Sequence, residues 1–358
     1  IVVNYGCSHQ TRELAGMYAE ASDKILDIGM SSYGLPPMFE TYSALTGRIG
    51  ELVDQTAYVH FMRMLNKQPQ KPVMCILKNT KIVNQAFLPY LMDNFNIISD
   101  PEEVSYTRKL HPISPFATFF YKYSDTQYGH NSTFLGSVHQ ELVDKNIDTS
   151  AFALKDVTIE PAETFLKSYG LKEADEFVVL HLREAGYVDG GQHLFRNSNP
   201  LDYVEAIEWL LSQGLKVVRI GHSNMTPLPE MKGLIDLTSV ERPGEVDIYL
   251  CARAKFYYGS SSGPVSLSLN FGIKMLLTNA NFYGINYPNS LMQMLPFYDP
   301  SQKRNLSVTE IEGLGLSGIE SSKPFLNRGL EPQFHKSEAH VRSVKEMIEF
   351  IDGGDICR

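Results

Sequence analysis

Charged and polar side chains follow several apolar segments in the C-terminal half of this chain. Arg183 ends the segment FVVLHLR, and the glycine-bearing stretch after it carries Arg196 and Asn197. Two guanidiniums can hold a diphosphate through paired hydrogen bonds, and Gly190 and Gly191 would let the backbone approach it closely. This first loop predicts an anion site, although two surface arginines on a loop would have the same sequence.

A second loop, RIGHSNMTP, places Gly221 and His222 directly after the apolar segment LKVVRI. Backbone and imidazole groups at this point could hold a base or a ribose. His222 could equally be a turn residue that its neighbours cap. The sequence leaves both interpretations open.

A third loop, GSSSGP, lies between the apolar segment KFYYG and an apolar helical segment that starts at Pro264. Ser260, Ser261, Ser262 and Gly263 would present small hydroxyls and backbone amides at a helix N-terminus, which is a favourable place for a phosphate. An ordinary helix cap is the alternative. The third loop therefore predicts a second part of one anion site.

The motifs most specific for a phosphate-binding P-loop and for a zinc site are missing from the chain. It contains no GxxxxGK[ST], and its four cysteines have no CxxC spacing. We therefore expect no resident metal or cofactor, and a diphosphate held by arginines and amides points to a nucleotide-sugar substrate. Cys75 and Cys251 lie in apolar runs, which predicts reduced buried thiols and a cytoplasmic location.

The composition argues against two kinds of partner, nucleic acids and the interior of a membrane. A net charge of −9 argues against nucleic acid as a ligand, and no apolar run approaches the roughly 20 residues of a membrane span. The chain begins at Ile1 without a charged and then apolar leader segment, so we expect no signal peptide. The 358 residues suffice for two domains, and a homo-oligomer is compatible with the sequence.

Short apolar segments alternate with amphipathic ones, which indicates an α/β fold. The clearest part is a Rossmann-like half over about 161–330, and looser segments before it form a second α/β layer. We place the domains at 1–160 and 161–358. The aromatic stretch 111–131 is interpreted as a long loop, and 337–351 as a terminal helix that Ser337 caps.

The run from His181 to Asn279 resembles a bacterial glycosyltransferase family of the GT-B class. Its likeness lies in HLR, RN, VVRIGH, DLTS, EVDIYL, YYGSSSGP and LTN, and GRIGEL and VNQAFLPY extend it into the N-terminal half. HLR also resembles the His-x-Arg of fucosyltransferases. EVD followed by SGP resembles the nucleotide-sugar end of heptosyltransferase-like enzymes.

The resemblance implies a GT-B-like arrangement of two Rossmann-like domains that face each other across a cleft. The C-terminal domain would hold the donor, and the N-terminal domain would present a glycan, lipid-linked or protein acceptor. Arg183 and Ser261 to Gly263 would contact the diphosphate, with Arg196 and Asn197 near the sugar. Glu245 would accept ribose hydroxyls, although a carboxylate there is also favoured by the helix dipole.

Glycosyl transfer with inversion needs a base near the acceptor hydroxyl. The N-terminal half offers Glu51, His60, His111, His130 and His139, and we take Glu51 and His60 as the catalytic candidates. The loop 47–52 would lie at the cleft floor, and the aromatic residues of 116–128 would stack on a sugar ring or form a satellite core.

Two other functions fit the same sequence. A nucleotide-sugar epimerase would need acidic and histidine groups crowded at the sugar, and would act on the donor alone. A non-catalytic nucleotide-sugar-binding module would keep the phosphate groups and lack a base.

Overall fold

The computed structural model describes residues 41–43, 47–65, 67, 71–110, 120–124, 127–185, 194–281, 283, 287–317, 319 and 321–353. Contacts within the chain divide it into an N-terminal unit, Ile1–Phe152, and a C-terminal unit, Ala153–Arg358. The predicted domain boundary at residue 160 falls inside helix α5 (Asp156–Ser168), which packs on another helix of the C-terminal unit. The chain therefore changes units a few residues before the predicted position.

The N-terminal unit contains a three-stranded parallel sheet in the order β1-β2-β3 and a separate antiparallel hairpin, β4-β5. Helix α1 contacts both α2 and α4, and its buried side chains, among them Leu52, Val53 and Phe61, face those neighbours. The elements are β1 (Thr41–Ser43), α1 (Ile49–Leu65), β2 (Val73–Cys75), α2 (Leu88–Asn94), β3 (Asn96–Ile98), α3 (Pro101–Leu110), β4 (Phe120–Ser124), β5 (Gln127–His130) and α4 (Asn131–Asp144).

The C-terminal unit is built on a six-stranded, all-parallel sheet in the order β11-β10-β9-β6-β7-β8. Counted from β6 as the first strand, this order is 3-2-1-4-5-6, that of a doubly wound Rossmann sheet. Its elements after α5 are β6 (Phe177–His181), α6 (Val204–Ser212), β7 (Lys216–Arg219), β8 (Leu234–Asp236), α7 (Gly244–Arg253), β9 (Phe256–Gly259), α8 (Gly263–Asn270), β10 (Met275–Ala280) and β11 (Ser290–Met294). The predicted α/β class and Rossmann-like C-terminal half are confirmed.

Helices cover the sheet because its central strands are apolar on both faces, as parallel strands require. The strand β6 is buried at all five positions. Helices α6 and α11 (Ser337–Ile351) pack together and close one core with alternate strand residues such as Val178, Leu180 and Phe256. Helix α5 packs on α7, which packs on α8.

A smaller cluster follows the Rossmann sheet. Phe297, Phe325 and Leu295 form its core together with the buried ring of Phe195, which lies in a short 3-10 helix after the first loop. The cluster therefore ties the end of the first loop to later parts of the chain. Its elements are β12 (Phe297–Asp299), β13 (Arg304–Asn305), α9 (Val308–Gly313), α10 (Lys323–Leu326) and β14 (Glu331–Pro332).

Two local predictions are wrong. The stretch interpreted as a long loop contains the hairpin β4-β5, and its residues 111–119 and 125–126 lie outside the described part. Ser337 is the first residue of α11 and does not cap it; Lys336 is the cap residue, and no side chain makes a cap hydrogen bond. The predicted terminal helix itself is present, and its residues Val344 and Met347 are buried in the core.

Candidate functional site at the ends of strands β6 and β9

The strands β6 and β9 are neighbours in the sheet, but the chain leaves them in opposite directions. It runs from β6 to β7 on one side and from β9 to β10 on the other. In open α/β sheets such a reversal of strand order leaves a crevice at the carboxyl ends of the two strands, and ligands bind there. The last residues of both strands, His181 and Gly259, are paired in register.

Gly259 lets the two strand ends approach each other. Its φ of +143° is rarely adopted by residues with a side chain, and a Cβ atom would lie 2.0 Å from the carbonyl oxygen of His181. That oxygen also accepts a 3.2 Å hydrogen bond from the amide of Ser260. The close approach therefore sets where the third loop starts.

We expect Gly259→Ala to lower the free energy of unfolding by about 2–3 kcal/mol, the upper part of the usual cost of overpacking. The physical reason is that the new methyl group meets backbone, which cannot rotate away. Urea denaturation would measure the loss. The matched control is Gly313→Ala, where a Cβ atom would meet nothing within 4 Å; equal losses in both variants would contradict the close approach.

The third loop forms a turn, Ser260 to Gly263, that ends at the first residue of α8. Ser260 is buried, and its hydroxyl oxygen accepts a 2.7 Å hydrogen bond from the amide of Arg183. Within the described residues, the amides of Ser261, Ser262 and Gly263 have no hydrogen-bond acceptor. Three amides without acceptors at a helix N-terminus are suited to an anion.

Both predicted arginines contact this turn. Nε of Arg196 donates to the carbonyl oxygen of Ser261 at 3.1 Å, and the backbone of Arg183 is held by Ser260. The guanidinium of Arg183 donates to Oδ1 of Asn197. Asn197 therefore orients one of the two cations, a role that the sequence did not indicate.

The structure thus brings together seven of the predicted binding residues from two distant segments of the chain. Residues of the first loop and of the third loop meet at one edge of the sheet, because β6 and β9 are neighbours. The seven are Arg183, Arg196, Asn197, Ser260, Ser261, Ser262 and Gly263.

Buried hydroxyls fix the end of the first loop. The amide of Ser198 donates to the carbonyl oxygen of Arg183 at 2.8 Å. The hydroxyl of Tyr203 lies 3.1 Å from that of Ser198 and 2.7 Å from that of Thr278 in β10. Burial raises the pKa of Tyr203, so this phenol is a neutral, structural group.

The second loop follows β7, the next strand along the sheet. The carbonyl oxygen of Gly221 accepts from Arg242 at 3.1 Å, and a Cβ atom at Gly221 would lie 2.2 Å from Sδ of Met225. Nδ1 of His222 accepts from the amide of Asn224 at 3.3 Å, which is the turn contact that the sequence left open. A role of either residue toward a ligand stays a prediction.

Glu245 is the second residue of α7, so its carboxylate lies in the first turn, where the helix dipole favours it. The neighbouring Arg242 donates to both carboxylate oxygens of Asp247 and to the carbonyl oxygens of Leu237, Val240 and Gly221. The guanidinium of Arg242 is thus engaged by the protein and ties the loop after β7 to α7. The contact of Glu245 with ribose stays a prediction.

A fully buried arginine, which the sequence analysis missed, joins three strand ends. Arg219 ends β7 and donates to Glu184 at 2.9 Å, to Asp236 at 3.0 Å and to the carbonyl oxygen of Thr226 at 2.7 Å. Glu184 also accepts from the amide and the hydroxyl of Thr226. An arginine inside the apolar segment KVVR was a usable signal, because a buried charge must be paired.

The two catalytic candidates lie on helix α1 but not together. Nine residues separate Glu51 from His60, which places them on opposite faces and about 13 Å apart along the axis. Glu51 is partly exposed, and its carboxylate is 3.5 Å from Arg48. Nδ1 of His60 is 3.2 Å from Oδ1 of Asn94 in α2, and burial lowers the pKa of this imidazole. One reacting atom could not contact both residues.

The remaining base candidates divide by burial. His139 is fully buried and packs edge-on against Phe61, and burial lowers its pKa to about 4, so its ring belongs to the core. His130 ends β5. His111, and the predicted aromatic residues 116–119, lie outside the described residues.

Within the described residues, no group of three or more metal-binding side chains is close enough to hold an ion. In the same part of the chain, no helix has both the length and the apolar character of a membrane span.

No protein-family model and no curated protein sequence matches the chain. Solved structures do. The glycosyl transferase family 9 structure from Veillonella parvula DSM 2008 is 12% identical, covers 86% of this chain and 96% of its own, and has a TM-score of 0.49. E. coli ADP-heptose lps heptosyltransferase II is 9% identical, covers 88% of this chain and 100% of its own, and has a TM-score of 0.44. The S. aureus MnaA–UDP co-structure is 12% identical, covers 89% of this chain and 77% of its own, and has a TM-score of 0.29. With every TM-score below 0.5, these likenesses do not by themselves assign a fold or a function.

Proposed function

We propose that this protein is a glycosyltransferase that takes its sugar from a nucleotide-diphosphate donor. The observation that carries the proposal is that Arg183 and Arg196 both bind the turn 260–263 at the reversal of strand order, and that the amides of 261–263 have no acceptor among the described residues. Two cations and three amide donors match the two charges and several oxygens of a diphosphate diester. The Rossmann order of the sheet supports the proposal, because nucleotides bind at the same reversal of strand order in such folds.

The same groups suit the reaction as well as the binding. When the bond between sugar and diphosphate breaks, negative charge builds on the departing phosphate. Fixed guanidiniums and helix-terminal amides stabilise that charge more than the ground state, because they need no reorganisation. In this proposal Arg183 and Arg196 act on the leaving group, and a glycan, lipid-linked or protein acceptor is recognised by the N-terminal unit.

The base that receives the acceptor proton is proposed to be Glu51. His60 is less suitable, because its Nδ1 contacts Asn94 and its ring packs edge-on against Phe61. Glu51 lies in the first turn of α1, and its side chain is 28% exposed, so its carboxylate lies at the surface of the unit.

The proposal is tested by incubating the protein with labelled nucleotide-sugars, first alone and then with a panel of glycan, lipid-linked and peptide acceptors. Transfer that needs an acceptor supports it. Conversion of the donor alone to an epimer would instead show an epimerase. Donor binding without turnover across the whole panel would show a binding module.

We expect transfer to be independent of added divalent metal. Arg183 and Arg196 already supply the positive charge that Mg²⁺ or Mn²⁺ supplies to diphosphate leaving groups in other enzymes. Initial rates in EDTA and in excess Mg²⁺ should agree within about a factor of two to three. Activity that a chelator abolishes and a divalent ion restores would overturn this part of the proposal.

A further inference from the structure

Three side chains form a hydrogen-bonded chain beside the turn 260–263. The hydroxyl of Tyr257, in β9, donates to the carbonyl oxygen of Ser260 at 3.1 Å. The hydroxyl of Ser262 lies 3.2 Å from that of Tyr257 and 2.9 Å from Nδ1 of His181. Tyr257 is fully buried and His181 is 9% exposed, so the protein itself must satisfy most of these groups.

The chain has a direction, because each hydroxyl has a single hydrogen. The hydrogen of Tyr257 goes to the carbonyl oxygen of Ser260, which can only accept. The hydroxyl of Ser262 can donate to the same carbonyl oxygen at 3.3 Å or to Nδ1 of His181 at 2.9 Å, and the shorter distance favours donation to Nδ1. A neutral imidazole that accepts at Nδ1 carries its own hydrogen on Nε2.

The surroundings keep His181 neutral. Burial lowers the pKa of His181 to about 3, and the charges of Arg219, His222, Arg183 and Arg242 act in the same direction. These groups face the ring from β7, from the loops after β6 and β7, and from the segment before α7. Tyr257, from β9, is also neutral, because burial raises its pKa.

Ser262 occupies Nδ1 of this ring, so Nε2 is the ring nitrogen that remains for a ligand. The backbone of His181 binds the amide of Ser260, and its Nδ1 binds Ser262, so the ring lies against the turn whose amides are unpaired. We propose that Nε2–H of His181 is an uncharged donor to a non-bridging oxygen of the bound diphosphate, oriented by Ser262 and Tyr257. This proposal rests on the proposed function of the same turn.

An uncharged donor has a consequence that a histidine cation would not have. A nucleotide-sugar carries a diphosphate diester, whose charge is constant between pH 5 and 8. Its affinity should therefore be flat over this range, whereas a cation with the ordinary pKa of about 6.5 would lose its contribution as the pH rises through that value.

The test uses ¹⁵N-histidine NMR of the intact chain with inorganic pyrophosphate, ADP-glucose and UDP-glucose as probes. His181→Asn identifies the His181 signals by their loss. We expect a neutral Nε2–H ring from pH 5 to 8 and a shift of Nε2 on addition of pyrophosphate. His181→Asn, which keeps a group near the Nδ1 position only, should weaken pyrophosphate binding about 10- to 100-fold. His181→Gln, which keeps a donor near the Nε2 position, should lose less.

An imidazolium or an Nδ1–H ring at pH 7 would overturn the inference, as would an Nε2 signal that none of the three probes moves. If His181→Asn does not fold, His181→Gln provides the same assignment. Nucleotide-sugar binding with an unmoved Nε2 would overturn the inference and leave the proposed function intact. A shift of the Nε2 signal without sugar transfer to any acceptor would support the inference and contradict the proposed function.

Discussion

Arg183→Ala should lower kcat/KM for sugar transfer by about 100- to 1,000-fold, the loss seen when one donor to a developing anion is removed. Nucleoside diphosphate binding should weaken by about 1.5–3 kcal/mol, because a hydrogen bond to a charged group is lost. The turn should keep its shape, since Arg183 contacts Ser260 through its backbone amide. Isothermal titration and initial rates would measure both effects.

Lys255→Ala is the matched control for this prediction. Lys255 precedes β9, and it pairs with Glu176, which precedes β6. Lys255 is therefore a cation at the amino ends of the same two strands, whereas Arg183 lies at their carboxyl ends. Nucleotide affinity should be unchanged in Lys255→Ala. An unchanged affinity in Arg183→Ala would refute the placement of the diphosphate.

Arg219→Leu should lower the free energy of unfolding by about 3–5 kcal/mol, because it removes the buried cation that two carboxylates share. The side chain of Arg219 is 0% exposed, and those of Glu184 and Asp236 are 11% and 26% exposed. The leucine leaves both carboxylates beside each other without a counter-charge. Chemical denaturation at pH 7 would measure the loss.

Arg304→Leu provides the comparison, since it removes an arginine from an exposed ion pair with Glu310, whose side chains are 48% and 37% exposed. Surface pairs contribute little to stability, so this variant should unfold close to the wild type. Similar losses in the two variants would show that Arg219 does not act through a buried network.

The C-terminal sheet could be predicted from the sequence because its strands are apolar on both faces and are separated by helices of ordinary length. Polar residues after FVVLHLR and KFYYGS then had to meet, because β6 and β9 are neighbours at the reversal of strand order. Arg183, Arg196 and Ser260 were predicted as one site because both loops follow strands of one sheet.

Other features depend on contacts that no local pattern encodes. The partners of Arg219 lie 17 and 35 residues away, in β8 and in the loop after β6. Strands of two or three residues, such as β13 and β14, are too short to show a period. The positions of Glu51 and His60 on opposite faces of one helix were predictable from the sequence, since nine residues make two and a half helical turns.

The most direct measurement of the central claim is a crystal structure of the protein with a bound nucleotide-sugar. The account predicts diphosphate oxygens at hydrogen-bond distance, about 2.7–3.2 Å, from the amides of 261–263 and from the guanidiniums of Arg183 and Arg196. A diphosphate bound elsewhere, or held by a divalent ion without contact to either arginine, would contradict it.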